Sequence, residues 1–194
     1  MRDAVLWDTG LRSGACNLAF DRCQRARTRC AGLTILRLHR SHPTASIGAH
    51  EAAHQSLRLS YCRRRGLAVV RRLTGGGAYY LDRAQLGWTL TAVPREVGAT
   101  LAEVLERAGR GVARGLRTLG VEAASPAPDV VEVAGRKLGA VCARLDAGVV
   151  TAQGTLLVDV DVETMLKVLR VPREKLTPEG VAGARQRLVT LNEL

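Results

Sequence analysis

Residues 67–82 read Leu67-Ala68-Val69-Val70-Arg71-Arg72-Leu73-Thr74-Gly75-Gly76-Gly77-Ala78-Tyr79-Tyr80-Leu81-Asp82. The apolar run at 67–71 predicts a short buried strand that feeds directly into three successive glycines. Three glycines in a row cost backbone entropy, so the position needs a reason. One reason is an anion nest, in which consecutive N–H groups converge on a phosphate or carboxylate without Cβ clashes. Arg71 and Arg72, just upstream, could add bidentate donors. The run is neither a P-loop nor a GxGxxG turn, because no Gly-Lys-Ser/Thr follows and the spacing differs. From the glycines alone, a hairpin or bulge is an equal reading.

On the N-terminal side, Cys16, Ala19, Phe20, Cys23, Ala26 and Cys30 recur at a helical period, with Ser13 as N-cap. This predicts a helix over 14–30 with the three cysteines as small core residues. A strand at 33–38 and a helix at 52–65, stopped by Gly66, follow. On the C-terminal side, 86–93 reads as a strand. Leu101, Val104, Leu105, Ala108, Val112, Leu116 and Leu119 then share one face of a long helix ended by Gly120. Ser125-Pro126-Ala127-Pro128 is a loop. Strands follow at 129–134, 138–143 and 149–160, then a helix at 162–170 and one further helical turn in the polar tail after Arg173. Clustered strands with helices between them, without regular βαβ alternation, predict an α+β fold: a mixed or antiparallel sheet flanked by helices.

Length and composition set limits on function. A chain of 194 residues with 46% hydrophobic content suits one domain spanning 1–194 and excludes general disorder. No window approaches 18 consecutive apolar residues, so no membrane partner is expected. Arg2, Asp3 and Asp8 come too early for a secretion signal, and a cytoplasmic location is expected. Five cysteines, odd in number and without a CxxC pair, argue against a disulfide framework and against a metal site. The formal charge of +11 suits an anionic partner. Only six aromatic residues occur (Trp7, Phe20, Tyr61, Tyr79, Tyr80 and Trp88), and they form no stacking stripe, so nucleic acid is not the expected partner.

The second chemical signal is Gly135-Arg136-Lys137-Leu138-Gly139-Ala140, at a junction between two expected strands. Of 29 cations only Lys137, Lys167 and Lys175 are lysines, so a lysine between glycines stands out. Joining a carboxylate to a nucleoside triphosphate brings two anions together. A compact ammonium between them offsets the repulsion and stabilises charge developing on the phosphate. Alone, the motif would read more readily as a solvent-exposed hairpin lysine.

Taken together, the two motifs resemble the lipoate–protein ligase family, within the biotin/lipoate attachment superfamily. Asp8-Thr9-Gly10 with Asn17-Leu18-Ala19-Phe20-Asp21 looks like the family's opening strand and helix. Ser46-Ile47-Gly48 resembles the strand before its GxxQ element, and Arg71–Asp82 its RRxSGGGAVxHD signature. Val133–Ala140 resembles the lysine motif, and Gly154-Thr155-Leu156-Leu157 the HGTLL strand. Val171–Leu176 and Arg187–Leu191 look like the closing IPxEKL…RVTNL segment.

That resemblance implies a biotin/lipoate ligase catalytic-domain fold and a two-step reaction. Lipoate and ATP, with Mg²⁺, would give lipoyl-adenylate, which a carrier lysine then attacks. Lys137 would contact the acyl carboxylate and the α-phosphate. Arg72 with Gly75, Gly76, Gly77, Ala78, Tyr79 and Tyr80 would hold the phosphate and line the acyl channel; Asp82, Gly139, Thr151 and Gly154 complete the implied site. The partners would be a lipoyl carrier protein, either a glycine-cleavage H-like protein or a dehydrogenase E2 lipoyl domain, and a separate accessory subunit supplying a domain that longer relatives carry. A monomer is the default expectation. The sequence departs from the family pattern at Leu81, Glu51 and Gln153, where histidine, glutamine and histidine are usual, which bears on the preferred acyl chain. The rival inside the superfamily is octanoyl transfer through a cysteine thioester. The positions where transferases carry that cysteine read Ser125–Asp129 and Val150-Thr151, so the ligase reading is favoured and Cys142 is expected to be a core residue. Biotin ligase, a basic nucleic-acid-binding module and a non-catalytic carrier-binding protein are the more distant alternatives.

Overall fold

The computed structural model describes residues 4–194, so Arg2 and Asp3 lie outside the described residues. In chain order the elements are β1 (Ala4–Arg12), α1 (Gly14–Ala31), β2 (Thr34–Ser41), β3 (Thr44–Ile47), α2 (Ala53–Ser56), α3 (Leu59–Arg64), β4 (Ala68–Arg71), β5 (Tyr79–Leu81) and β6 (Gln85–Ala92). They continue as α4 (Pro94–Val97), α5 (Leu101–Arg117), β7 (Ala123–Ala124), β8 (Val130–Val133), β9 (Arg136–Asp146), β10 (Val149–Leu157), α6 (Val162–Val168) and α7 (Pro178–Arg187). The fold is mixed α+β. A seven-stranded sheet runs β1-β2-β6-β10-β9-β8-β7, and a three-stranded sheet runs β4-β3-β5. In the large sheet β1 pairs with β2 in parallel and every other neighbour is antiparallel.

The two faces of the large sheet are built differently. On one, Val104, Ala113 and Leu116 of α5 pack against Val131, Val141, Ala152 and Leu156, the amphipathic packing that the periodicity of α5 predicts. Leu101 and Leu119, at the two ends of that expected face, are exposed. On the other face lies α1, whose buried residues are Gly14, Asn17, Asp21, Gln24 and Thr28. The expectation that Cys16, Cys23 and Cys30 form the core face is overturned: Cys23 and Cys30 are exposed and Cys16 is half-buried. The sheet beneath presents a buried arginine and several hydroxyls. Leaving such groups unpaired costs more than exposing a few small thiols, so α1 turns its polar side inward.

Three further expectations are corrected. The helix at 52–65 is interrupted at Leu57, which leaves the helix to bridge with Leu169. Arg58 then points into the end of α6 and donates to the carbonyls of Leu166, Leu169 and Val171 at 2.7, 2.5 and 2.6 Å, satisfying acceptors that a helix end leaves open. The strand at 67–71 is not buried. β4 pairs only with β3, and Ala68, Val69 and Arg71 are exposed, because a short apolar run does not report which edges it pairs. The tail holds a full helix, α7, where one turn was expected; Thr177 caps it by accepting the Gly180 N–H at 3.1 Å, and Pro178 takes its first position. A second apolar cluster, Ala45, Ile47, Leu57, Cys62, Tyr80 and Val168, holds the small sheet to α3 and α6. Among the described residues no helix is long and apolar enough to cross a membrane.

Candidate functional site

Between α1 and the inner face of the large sheet lies a cavity lined by Asn17, Asp21, His39, Arg72, Tyr79, Cys142 and Gln153, with Ser41, Thr44, Ser46, Gly154 and Thr155 among its other walls. Its floor is a hydrogen-bonded network. Arg37, fully buried, donates to Asp21 Oδ1 at 2.5 Å and to Asn17 Oδ1 at 3.1 Å. The Thr89 hydroxyl donates to the same carboxylate oxygen at 2.8 Å, and Gln153 Nε2 donates to Asp21 Oδ2 at 2.7 Å. Burial pushes the Asp21 carboxyl above its usual range, against the pull of Arg37 and of the hydroxyl and amide donors. His39 is driven down to about 3 by burial and by the charge of Arg37, so it is neutral at any physiological pH.

The glycine loop is anchored in part on residues that line this cavity, Arg72 and Gln153 among them. Its first anchor is Gly48, where an added Cβ would come 2.0 Å from the Gly76 carbonyl oxygen. Only a glycine lets the two backbones approach so closely. The second anchor is Arg72, whose Nη2 donates to the Gly75 and Gly77 carbonyls at 2.6 and 2.7 Å and whose guanidinium stacks 4.3 Å over the Tyr79 ring. The third is Thr74, which donates to Gln153 Oε1 at 2.9 Å and sits 3.0 Å from Cys142 Sγ. A continuous hydrogen-bonded path therefore joins α1 to the loop: Arg37, Asp21, Gln153, Thr74. Within the loop only Gly76 has a left-handed backbone, at φ +82°. Its carbonyls are turned toward Arg72, and among the described residues no backbone hydrogen bond uses the Gly75, Gly76 or Gly77 N–H groups. Such a loop can offer amides to an anion.

Lys137 is positioned by an irregularity in β9. Val131 of β8 faces Gly139, yet Glu132 faces Lys137, so β9 carries one extra residue there. Leu138 is fully buried in the same cluster as Val141 and Ala143, which strict alternation would place on the opposite face. The bulge reverses the alternation and puts Lys137 on the face that carries Ala140 and Cys142. Five residues at ~3.3 Å each separate Lys137 from Cys142, ~16 Å along the strand. Val189 N–H donates to the Lys137 carbonyl at 3.0 Å, tying the C-terminal segment to this turn. Lys137 is half-buried and takes part in no ion pair among the described residues.

The structure thus brings Arg72, Tyr79 and Gly154 to the cavity lining, leaves Gly75–Ala78 and Lys137 outside that lining, and ties the glycine loop to it through Arg72 and Thr74. Tyr80 points the other way, into the core of the small sheet, and its hydroxyl is pushed up to about 12 by burial. Tyr79 is raised too, by burial and by the neighbouring Cys142. Asp82 accepts the Ala84 N–H at 2.9 Å and shapes the turn into β6; burial raises its carboxyl. Thr151 is fully buried and accepts from Arg25 Nη1 at 3.0 Å, outside the cavity lining. Gly139 is packed on the Thr155 carbonyl rather than on the cavity. The sequence reading did not single out His39, Ser41 and Thr44. Their signal was the polar alternation Arg37, His39, Ser41 on one strand, set against the polar helical face of α1. A separate apolar groove of about 570 Å³ lies on the opposite face of the sheet beside α5, where Glu96 and Arg107 are its only charged walls. It brings together no reactive groups.

Comparison with known proteins adds the following. The family model for the lipoyl protein ligase A/B catalytic domain matches residues 13–194. The lipoate-protein ligase LplJ of Bacillus subtilis is 27% identical over 153 residues, covering 79% of this chain and 45% of that protein, so the chain spans less than half of that relative. The octanoyltransferase LipM of Moorella thermoacetica is 31% identical over 211 residues, covering 95% of this chain and 72% of that protein. Among solved structures, a bipartite lipoate protein ligase from Thermoplasma acidophilum, described with its E2 lipoyl domain, is similar in fold. Its TM-score is 0.89 at 22% identity, covering 100% of this chain and 76% of that one.

Proposed function

The chain belongs to the lipoyl protein ligase A/B catalytic domain family, and from that membership we propose that it attaches lipoate to a lysine of a lipoyl carrier domain. The reaction uses ATP and passes through lipoyl-adenylate. In the first step a carboxylate oxygen of lipoate attacks the α-phosphorus and pyrophosphate leaves. In the second, the carrier amine attacks the adenylate carbonyl and AMP leaves.

The observation that supports this reading is the placement of Lys137. It forms no ion pair among the described residues and stands on the face of β9 that runs on to Cys142 and the cavity. The ~16 Å between them is a span that a lysine side chain and a medium-length acyl chain can fill end to end. The acyl tail would lie under the glycine loop, and its carboxylate would meet Lys137. The N–H groups of Gly75–Gly77 are free to hold the phosphate. Arg72 then acts by bracing the loop, because its Nη2 is engaged with the Gly75 and Gly77 carbonyls and its Nη1 with the Ser46 carbonyl of β3. No cluster of three or more His, Cys, Asp or Glu among the described residues is arranged to hold a metal. Mg²⁺ enters with ATP, bound through its phosphates.

Residues 1–194 act as the catalytic domain and as a monomer, and their charge suits an acidic lipoyl carrier; the similarity to a bipartite ligase from Thermoplasma acidophilum supports an accessory subunit as a further partner. A second reading, octanoyl transfer through a Cys142 thioester, has two observations in its favour: the similarity to the octanoyltransferase LipM, and the place of Cys142 in the cavity lining. Against it, the thiol contacts the Thr74 hydroxyl and the Gln153 carbonyl, neither of which is a base. The test is mass analysis of an apo lipoyl domain incubated with the protein and lipoate, with and without ATP. A lipoyl mass gain only with ATP supports ligation. Transfer from an octanoyl carrier without ATP supports the second reading.

A further inference from the structure

β4 is the free edge of the small sheet, pairing with β3 alone. The Arg72 N–H donates to the Ile47 carbonyl at 3.0 Å, and the parallel register sets Val70 against Ser46 and Ala68 against Thr44. In a strand, the N–H and C=O of one residue point to the same side and successive residues alternate. The peptide groups of Ala68, Val70 and Arg72 therefore face β3, and those of Val69 and Arg71 face outward. Both outward residues are exposed, Val69 at 42%. A free edge with exposed apolar residues is a template for another strand; β4 is short, at four residues, and carries no proline or bulge.

A shallow groove runs along this edge between β4 and the outer side of α1, bordered by Leu18, Ala19, Cys23 and Val69, with Arg22 and Arg71 at its rim. The charge around it has one sign. Residues 52–81 contain six arginines and no aspartate or glutamate, and Arg63, Arg64 and Arg65, just before β4, are all exposed. The strand also ends at the site: Arg71 is followed directly by Arg72 and the glycine loop.

We propose that β4 is the docking edge for the acceptor. A strand of an acidic lipoyl carrier domain adds to the small sheet, bonding to the peptide groups of Val69 and Arg71. Its apolar side chains lie in the groove, and its carboxylates meet Arg22 and Arg63–Arg65. The hairpin carrying the acceptor lysine is then held beside the glycine loop. This rests on the ligase reading for the identity of the partner, but the edge itself can be tested without turnover.

The probe is an apo E2 lipoyl domain added to the wild-type protein, with amide hydrogen exchange read at Val69 and Arg71. The expected result is at least tenfold slower exchange at both. Unchanged exchange at both amides overturns the proposal, whether or not the protein makes an adenylate. The matching variant is Val69→Pro, which removes one outward N–H and leaves the bonds to β3 intact. It should raise KM for the carrier tenfold or more while pyrophosphate exchange without carrier stays within twofold of wild type. An unchanged carrier KM in a folded Val69→Pro protein also overturns the proposal. If wild-type protein shows no pyrophosphate exchange yet protects both amides, the ligase reading fails and the docking edge stands.

Discussion

The contact between Gly48 and Gly76 gives a sharp prediction. In Gly48→Ala the new Cβ would lie 2.0 Å from the Gly76 oxygen and 3.1 Å from its carbonyl carbon. Both atoms are backbone, so no side chain can swing away, and relief requires the loop to lift by about 1 Å. Lifting it stretches the two bonds from Arg72 to the Gly75 and Gly77 carbonyls beyond useful length. Bonds to a charged donor contribute about 1.5–3 kcal/mol each, and partial relaxation recovers some of the loss, so the net cost is about 3 kcal/mol. For a domain of this size, each kcal/mol lowers Tm by roughly 2–4 °C, giving a fall of roughly 6–12 °C. Gly77→Ala is the control. An added Cβ there meets nothing within 4 Å, and Gly77 has no positive φ, so its Tm should stay within about 2 °C of wild type. Differential scanning calorimetry of the two variants decides the matter. If Gly48→Ala melts with wild type, or if the two variants fall equally, the account of how the loop is held is wrong.

Three other outcomes follow from the same geometry. Gln153→Leu removes the link between Asp21 and Thr74 and leaves both partners short of a bond, so stability should fall by about 2–3 kcal/mol in urea melts. His39 is held at about 3 when folded against 6.5 unfolded, so the unfolded chain binds more protons in between. Its contribution is complete above pH 6.5 and is lost as pH falls toward 3. Asp21, raised on folding, acts in the opposite sense near its own range, so the reading is the difference between wild type and His39→Gln: wild type should lose Tm more steeply below pH 6. Cys142→Ser should leave acyl attachment within about twofold of wild type, because a hydroxyl can keep the contacts to Thr74 and Gln153; a dead serine variant in the carrier mass assay would contradict this.

The α+β architecture was legible because the apolar periods of α5, β6 and β10 are long and unambiguous. The glycine loop could be found in the sequence because Gly75–Gly77 follows Arg71-Arg72 and is joined by the Gly135–Ala140 lysine motif; the glycines alone read equally as a hairpin or bulge. What stayed hidden has a common cause. Hydrophobic period assigns the apolar side of a helix to the core, and α1 breaks that rule because Arg37 and Asp21 need buried partners. The same network brings Asn17, Asp21 and Gln153 to the cavity wall, and an apolar period passes over these polar residues as it does over His39 and Ser41. The bulge at Leu138 was likewise invisible: alternation alone would put Lys137 on the α5 side of β9. Nor does an apolar run such as 67–71 reveal whether it will pair on one edge or two.

The central claim is an ATP-dependent ligation that depends on Lys137. The most direct measurement is the intact mass of an apo lipoyl domain after incubation with lipoate, ATP and Mg²⁺, using wild type, Lys137→Ala and Cys142→Ser side by side. The account predicts a lipoyl mass gain with wild type and Cys142→Ser that requires ATP, and none with a Lys137→Ala protein of unchanged Tm. A gain that needs no ATP, comes from an octanoyl carrier and disappears in Cys142→Ser would contradict it.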